Sequence, residues 1–384
     1  MASRTTNGTE RVVKKVIAKE SKAVKAKKIT HKTKTSLDLL REKIKNKNTH
    51  KVVIGLHAFP DLDCMGASLG FIKLIKEWKP EIEYVVVYSG SISHPQNVTT
   101  SNLLNIKMTH LDVVENLKEL GDCFVAIDGP KERCFGNEDI DCFMVIDHHE
   151  DNSKADIEVK DIRDVGATCS IIYDYISKEK IKFDKEDDFD SDVATGMAMG
   201  IRSDTLELVS ENVTFLDYDA YQFLMNFSSR KHMQSITNYP IPSYLFKIRG
   251  RLEQEENIHI EDGAFVGGLG ILSPSQRDSI PVMADERVRC EGVDTSFIFA
   301  IVDDKIDMSI RSSNPSFNVE EYCEKIYKEY GGSGGGKKRA GIGSACLDLG
   351  FLSPTEFEES TQVKIWHAVR DAMFEKIRKI VSRS

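Results

Sequence analysis

The chain has 384 residues, 40% hydrophobic and 29% charged, the composition of an ordinary folded protein with length for two domains or slightly more. No apolar stretch reaches the ~18 residues that span a bilayer, and the start lacks the apolar core of a signal peptide, so no membrane contact is expected. Eight Cys without one C-x-x-C pair argue against a zinc ribbon and a disulfide framework, and the expected compartment is the reducing cytoplasm.

The net charge of −9 is unevenly spread. Residues 1–35 hold eleven Lys or Arg against Glu10 and Glu20, a net +9, which leaves −18 on the rest. This stretch reads as a solvated, disordered arm. It has no Phe, Tyr or Trp to stack on bases, so any contact with a polyanion would be weak, electrostatic and salt-sensitive.

From Ser36 the pattern becomes that of folded elements. Leu37, Leu40 and Ile44 at helical spacing predict a short helix to about Lys47. Lys51 to His57 reads as a strand ending in His, followed by a loop from Ala58 to Ser68 and a helix carrying Leu69, Phe71, Ile72, Leu74 and Ile75. His57, Asp61 and Asp63 then cluster at the carboxyl end of that strand. A second strand is expected over Glu83 to Tyr88, a polar loop over Ser93 to Asn97, and a helix over Leu111 to Leu120. Phe124 to Asp128 repeats the strand that stops at an acid. Cys142 to Ile146 is a buried-strand run ending in Asp147-His148-His149. A helix from Ala167 to Ser177, an acid-rich loop from Asp184 to Asp192 and a small-residue helix from Val193 to Ile201 lead into Arg202-Ser203-Asp204-Thr205.

Repeated strand-then-helix units with acids at strand tips predict an α/β fold built on a doubly wound, mainly parallel sheet. Such sheets place their chemistry beyond the carboxyl ends of the strands. The candidate metal ligands His57, Asp61, Asp63, Asp128, His148 and Asp204 would converge on one edge. A single Asp after a strand is usually a turn former or helix cap, whereas four separate strand or helix ends supplying matching donors need a common purpose. Carboxylates with imidazoles, and no thiolate at hand to select zinc, suit Mn2+. Six donors exceed what one ion takes from a protein. With one carboxylate bridging, they suit two ions roughly 3.5–4 Å apart, the arrangement used for phosphoryl displacement.

The second half predicts helices over Tyr218 to Met225 and Tyr244 to about Glu256, a strand over Ala264 to Leu272, and a helix over Asp278 to Glu291. A hairpin of Ser296 to Val302 and Lys305 to Arg311 turns at Asp303-Asp304. After a helix from Asn318 to Tyr330 comes a glycine loop with Gly334, Gly335 and Gly336, then Lys337, Lys338 and Arg339. Glycines let backbone N–H groups approach an anion closely, and the three cations supply charge. No Gly-Lys-Ser/Thr precedes a helix here, so this is not a Walker A loop. A strand over Ala345 to Leu349 follows. Trp366, Val369, Met373 and Ile377 mark the packing face of a last helix from Thr355 to about Ile380, which leaves dimerisation open.

His57-x-x-x-Asp61-x-Asp63, Asp128, Asp147-His148-His149 and Gly200-Ile201-Arg202-Ser203-Asp204-Thr205 resemble, in order and rough spacing, the four motifs of the DHH family of phosphoesterases. Ser309-Ile310-Arg311 and the glycine run resemble the DHHA1 domain that accompanies it, and the likeness covers about residues 50 to 350. It implies two Mn2+ ions, one held by His57, Asp61 and Asp128, the other by Asp63, Asp128, His148 and Asp204. It also implies that His149 touches the scissile phosphate, that Asp147 orients the histidines, and that Asp128 bridges the ions. Arg202, Arg311, Gly334, Gly335, Gly336, Lys337, Lys338 and Arg339 would contact substrate. The family's glycine loop carries His where Gly336 stands, so this chain has a Gly-Gly-Lys-Lys variant of it.

The expected organisation is a basic arm (1–35), a DHH catalytic domain (36–215), a helical linker (216–262) and a DHHA1 substrate-binding domain (263–384), with a cleft between the domains. The expected activity, like that of nano-RNases and oligoribonucleases, is hydrolysis of short oligonucleotides to 5′-mononucleotides by a monomer or homodimer. Linear or cyclic dinucleotides, 3′-phosphoadenosine 5′-phosphate and single-stranded DNA are the rival substrates. A non-catalytic nucleotide or RNA binder is the rival of another class. The net-acidic body argues against tight binding to long duplexes.

Overall fold

The computed structural model describes residues 34–136, 138–151, 155–337 and 341–381. The expected basic arm, up to residue 33, lies outside the described residues, as do Lys338 and Arg339. The chain opens with α1 (Ser36–Lys45), capped by Thr35, whose side chain accepts from the Asp38 N–H. There follow β1 (Lys51–Leu56), α2 (Leu62–Trp78), β2 (Glu83–Tyr88), α3 (Pro95–Leu103), β3 (Thr109–His110), β4 (Cys123–Ile127), α4 (Lys131–Phe135), β5 (Cys142–Asp147) and β6 (Val159–Ile162). These strands form one sheet in the order β3-β2-β1-β4-β5-β6, every neighbouring pair parallel. β4 and β5 are buried along their whole length, as apolar runs covered on both faces must be.

Next come α5 (Thr168–Lys178), α6 (Asp188–Asp204), α7 (Phe215–Leu224) and α8 (Arg230–Thr237). They share with α2 the core on one face of the sheet, while Phe135, Leu117 and Ile140 close the other. The strand order reverses between β1 and β4. Their carboxyl ends are followed directly by His57 and Asp128, so the crevice of the sheet opens between these two residues.

Two glycines decide how α2 meets α6. A Cβ at Gly66 would lie 2.4 Å from the Gly196 carbonyl oxygen, and one at Gly200 would lie 2.9 Å from Asp63 Cα. Only bare backbone lets the helices approach this closely. The approach sets the first turn of α2, with Asp63, against the last turn of α6, with Asp204.

The second half contains α9 (Ser243–Leu252), β7 (Ile258–Glu261), β8 (Ala264–Leu272), α10 (Ser279–Arg287), β9 (Thr295–Val302), β10 (Lys305–Ser312), α11 (Val319–Ile326), β11 (Ser333–Lys337), β12 (Ile342–Asp348) and α12 (Glu359–Val381). Its sheet runs β11-β12-β10-β9-β8-β7, antiparallel except for β8 and β9, which the α10 crossover makes parallel. α11 and α12 cover one face and α9 and α10 the other. The α12 stripe packs inward: Trp366, Met373 and Ile377 are buried and Val369 lies against them. Among the described residues no helix is long and apolar enough to cross a membrane.

Several local expectations are corrected. Leu111 to Leu120 forms two short 3-10 turns, because Asn116 and His110 bond nearby N–H groups and only Leu117 is buried. Ser93 to Asn97 is the start of α3: the His94 ring accepts from the Gln96 N–H and Pro95 occupies the first turn. The acid-rich stretch joins α6, where Asp187 caps and Asp188 and Asp190 suit the positive end of the helix. In the expected linker, α7 and α8 pack on the first core and α9 on the second. The glycine stretch is a strand rather than a loop, since β11 pairs with β12 from Ser333↔Cys346 to Lys337↔Ile342. A Cβ at Gly334 would lie 2.2 Å from the Cys323 carbonyl oxygen, so β11 can press on α11 only as glycine.

Candidate metal centre

The first group of donors is built around the β1 carboxyl end. His57 Nδ1 lies 2.8 Å from the Ala58 carbonyl oxygen, and assigning its proton to that bond leaves Nε2 as a lone pair. Nε2 stands 3.6 Å from Asp61 Oδ2 and 3.4 Å from Asp128 Oδ2. Asp61 caps α2: its Oδ1 accepts from the N–H groups of Asp63 and Cys64, both at 3.1 Å, and so Oδ2 is the oxygen turned to His57. Asp128 follows β4 in the left-handed region with φ 62°, a conformation Asp tolerates better than most residues.

The second group lies on the other side of Asp128. His148 Nε2 is 3.6 Å from Asp128 Oδ1, 3.2 Å from Asp204 Oδ2 and 4.0 Å from Asp63 Oδ2. Its Nδ1 is tied to the Val165 carbonyl oxygen at 3.1 Å. Asp63 is held by the start of α5, accepting the Thr168 N–H at 2.7 Å and the Cys169 N–H at 2.9 Å. Thr168 also donates its hydroxyl to Asp128 Oδ1 at 2.8 Å.

Asp147 gathers the histidine pair with one oxygen. Its Oδ1 accepts the backbone N–H groups of His148 at 2.8 Å and His149 at 3.0 Å, and lies 2.7 Å from His149 Nδ1. That nitrogen is also 3.7 Å from Asp128 Oδ1, and the His149 side chain is 26% exposed, so part of it reaches the surface.

Ring-nitrogen to carboxylate separations of 3.2 to 4.0 Å are long for hydrogen bonds. They fit donors grouped around a shared ion with bonds of about 2.0–2.2 Å. Asp128 Oδ2 is buried with no hydrogen-bond partner, which in a low-dielectric site calls for a cation. The donors therefore fit bound metal, and Asp128 belongs to two of the donor groups.

Electrostatics agree with this crowding. Burial works to lower the His57 imidazole, but Cys64, Asp61 and Asp128 outweigh it and hold it well above its usual value. Burial, with Asp128 and Asp204 nearby, raises the Asp63 carboxyl. Burial would raise Asp128 too, yet His57, His149 and His148 together hold it well below the usual carboxylate range.

A sulfur also stands among these donors, as a thiol that burial holds well above its usual range. Cys64 is fully buried, and donor atoms of His57, Asp61, Cys64 and Asp128 all lie within 4.8 Å of one another. Cys64 follows Asp63 directly, so its place on the first helical turn was a readable signal. Thr168 and the Val165 carbonyl carried none, because both act across long sequence distances.

The described ones among the expected substrate residues have these places. Arg202 turns to Glu207, with Thr237 Oγ1 3.4 Å from its guanidinium. Arg311, on β10, pairs with Asp285 and donates to Ser309 Oγ at 2.8 Å. Gly334, Gly335, Gly336 and Lys337 lie on β11. The two halves meet beside the first donor group. Ser93 Oγ donates to Asp278 Oδ2 at 2.8 Å, and the Arg277 guanidinium sits 4.4 Å over the Phe59 ring. His94 packs edge-on to Tyr239 at 5.7 Å. Burial lowers its imidazole against the pull of Asp278 and Asp285.

The model of the DHH family N-terminal domain matches residues 51–201, and that of the DHHA1 domain matches residues 275–347. An uncharacterized protein of Methanocaldococcus jannaschii is 26% identical over 338 residues, 88% of this chain and 66% of that protein. The chain thus spans just under two thirds of that relative's length. An exopolyphosphatase-related protein from Bacteroides fragilis is similar in structure, with a TM-score of 0.63 over 90% of this chain and 97% of that one. At 14% identity the likeness is one of fold.

Proposed function

Because the chain belongs to the DHH family, joining that family's N-terminal domain to a DHHA1 domain, we propose that it is a two-metal phosphodiesterase acting on short oligonucleotides and releasing 5′-mononucleotides. The observation that carries this reading is Asp128, which offers Oδ2 to His57 at 3.4 Å and Oδ1 to His148 at 3.6 Å. His57, Asp61 and Asp128 would hold one ion, and Asp63, Asp128, His148 and Asp204 the other. The all-oxygen-and-imidazole set of the second suits Mn2+. Such an ion pair supplies activation of water and neutralisation of charge on a phosphoryl group.

The chain's own residues would do the rest. Asp147 fixes the His149 ring, whose exposed part would meet the phosphate. Arg311 would exchange Asp285 for a phosphate oxygen, since Arg pairs with either by charge-assisted bonds. Lys337, Lys338 and Arg339 would extend this grip. Phe59, 40% exposed and two residues from His57, would give a base-bearing substrate an aromatic side chain to pack on, which bare polyphosphate would not use.

The test is metal-dependent hydrolysis of a panel, with products separated by chromatography. It holds 5′-phosphorylated di- to pentaribonucleotides, the matching DNA, cyclic dinucleotides, 3′-phosphoadenosine 5′-phosphate and pyrophosphate. Preferred cleavage of the short ribonucleotides to mononucleotides is expected. Preference for another member would change the substrate, and no turnover by metal-loaded protein would leave a nucleotide-binding role.

A further inference from the structure

We propose that Cys64 is a fourth donor to the ion held by His57, Asp61 and Asp128, so that this position takes a thiophilic divalent ion of the zinc or cobalt type while its neighbour takes a harder one. The inference rests on the two-ion reading above and names the metal class of one half of it.

Cys64 occupies the third position of α2 and is buried as part of the first core, with its sulfur within 4.8 Å of the donor atoms of His57, Asp61 and Asp128. Its sulfur accepts the Asp61 N–H at 3.2 Å and donates to the Asp61 carbonyl oxygen at 3.4 Å. The first bond would persist on a coordinated sulfur. The second is weak, and its proton is the one that an ion replaces and releases to solvent. A small buried Cys is often inert packing. Here an independent feature points to a cation: Asp128 Oδ2, in a side chain 1% exposed, has no hydrogen-bond partner and lies 3.4 Å from His57 Nε2 in this same group.

Sulfur with imidazole and carboxylate is a donor set that zinc prefers and manganese does not. The neighbouring set of Asp63, Asp128, His148 and Asp204 contains no sulfur. Cys169, which lies nearby, donates to the Asp63 carbonyl oxygen at 3.3 Å.

The test loads the full chain with Co2+ and records its near-ultraviolet absorption and metal content. A thiolate-to-cobalt charge-transfer band is expected in the natural protein and lost in Cys64→Ser at the same metal content. Competition should show zinc affinity lowered by at least about tenfold in Cys64→Ser, with manganese affinity nearly unchanged. Cys64→Ala serves should the serine variant not fold, and the spectrum of the natural protein is diagnostic in either case. Cobalt bound without the band, or a band that survives both substitutions, overturns the role of Cys64 and leaves the two-ion reading standing. A natural protein that binds no cobalt overturns both.

Discussion

Thr168 donates its hydroxyl to Asp128 Oδ1 at 2.8 Å, the oxygen that also faces His148 Nε2 at 3.6 Å. The same residue gives its backbone N–H to Asp63. One residue at the start of α5 thus fixes two carboxylates that come from opposite sides of the sheet crevice, and helix N-terminal N–H groups are suited to hold such charge.

Thr168→Val keeps the side-chain shape and deletes that hydroxyl. Metal affinity or kcat should fall by about 10- to 100-fold. The cost in stability should be only about 1 kcal/mol, because the backbone N–H to Asp63 remains. Calorimetric metal titration beside a denaturant melt separates the two effects. Unchanged metal binding and turnover would show that Asp128 needs no such support.

Gly200→Ala places a Cβ 2.8 Å from Cys169 Sγ and 2.9 Å from Asp63 Cα, where backbone must move. Destabilisation of about 1–3 kcal/mol is expected, together with weaker metal binding, because α2 and α6 separate at Asp63 and Asp204. Gly250→Ala is the control. It is a helical position with open space around it, and it should be neutral or slightly stabilising. Equal melting temperatures for the two variants would contradict this account of the helix crossing.

Asp161 supplies a pH-dependent contribution to stability. Burial would raise its carboxyl, but bidentate bonds from Arg163, each 2.7 Å, and a bond from Tyr175 hold it below the usual value. A carboxyl lowered in the folded state stabilises the fold above its unfolded pKa of about 3.9, and that stabilisation is lost as pH falls through the folded value. Asp161→Asn should therefore melt below the natural protein at pH 7, and the gap should close under about pH 4. A gap of constant size across that range would mean the pair acts through packing alone.

The candidate donors stand at boundaries that the sequence shows, because an apolar run stops at His57, Asp128 or Asp147 and Asp61 and Asp63 open a helix. The sheet was legible for the same reason, since β1, β4 and β5 are buried on both faces and read as unbroken apolar runs. β3 and β6, short and half-polar, give no such signal. Gly334 and Gly336 misled in another way. Their composition suggests a mobile turn, yet what they answer is the closeness of the Cys323 and Ile342 carbonyl groups, a tertiary fact. The roles of Thr168, Val165 and Asp285 likewise depend on which distant residue the fold brings opposite.

The account turns on Asp128 serving two ions at once, and its replacement by Asn is the most direct measurement. The natural protein should hydrolyse 5′-phosphorylated short oligoribonucleotides only with added divalent metal, and chelation should abolish the activity. Asp128→Asn should remain folded by circular dichroism, bind less metal, and lose turnover by on the order of 100- to 1000-fold or more. Near-normal, metal-dependent turnover in that variant would contradict the bridging role and with it the two-ion site.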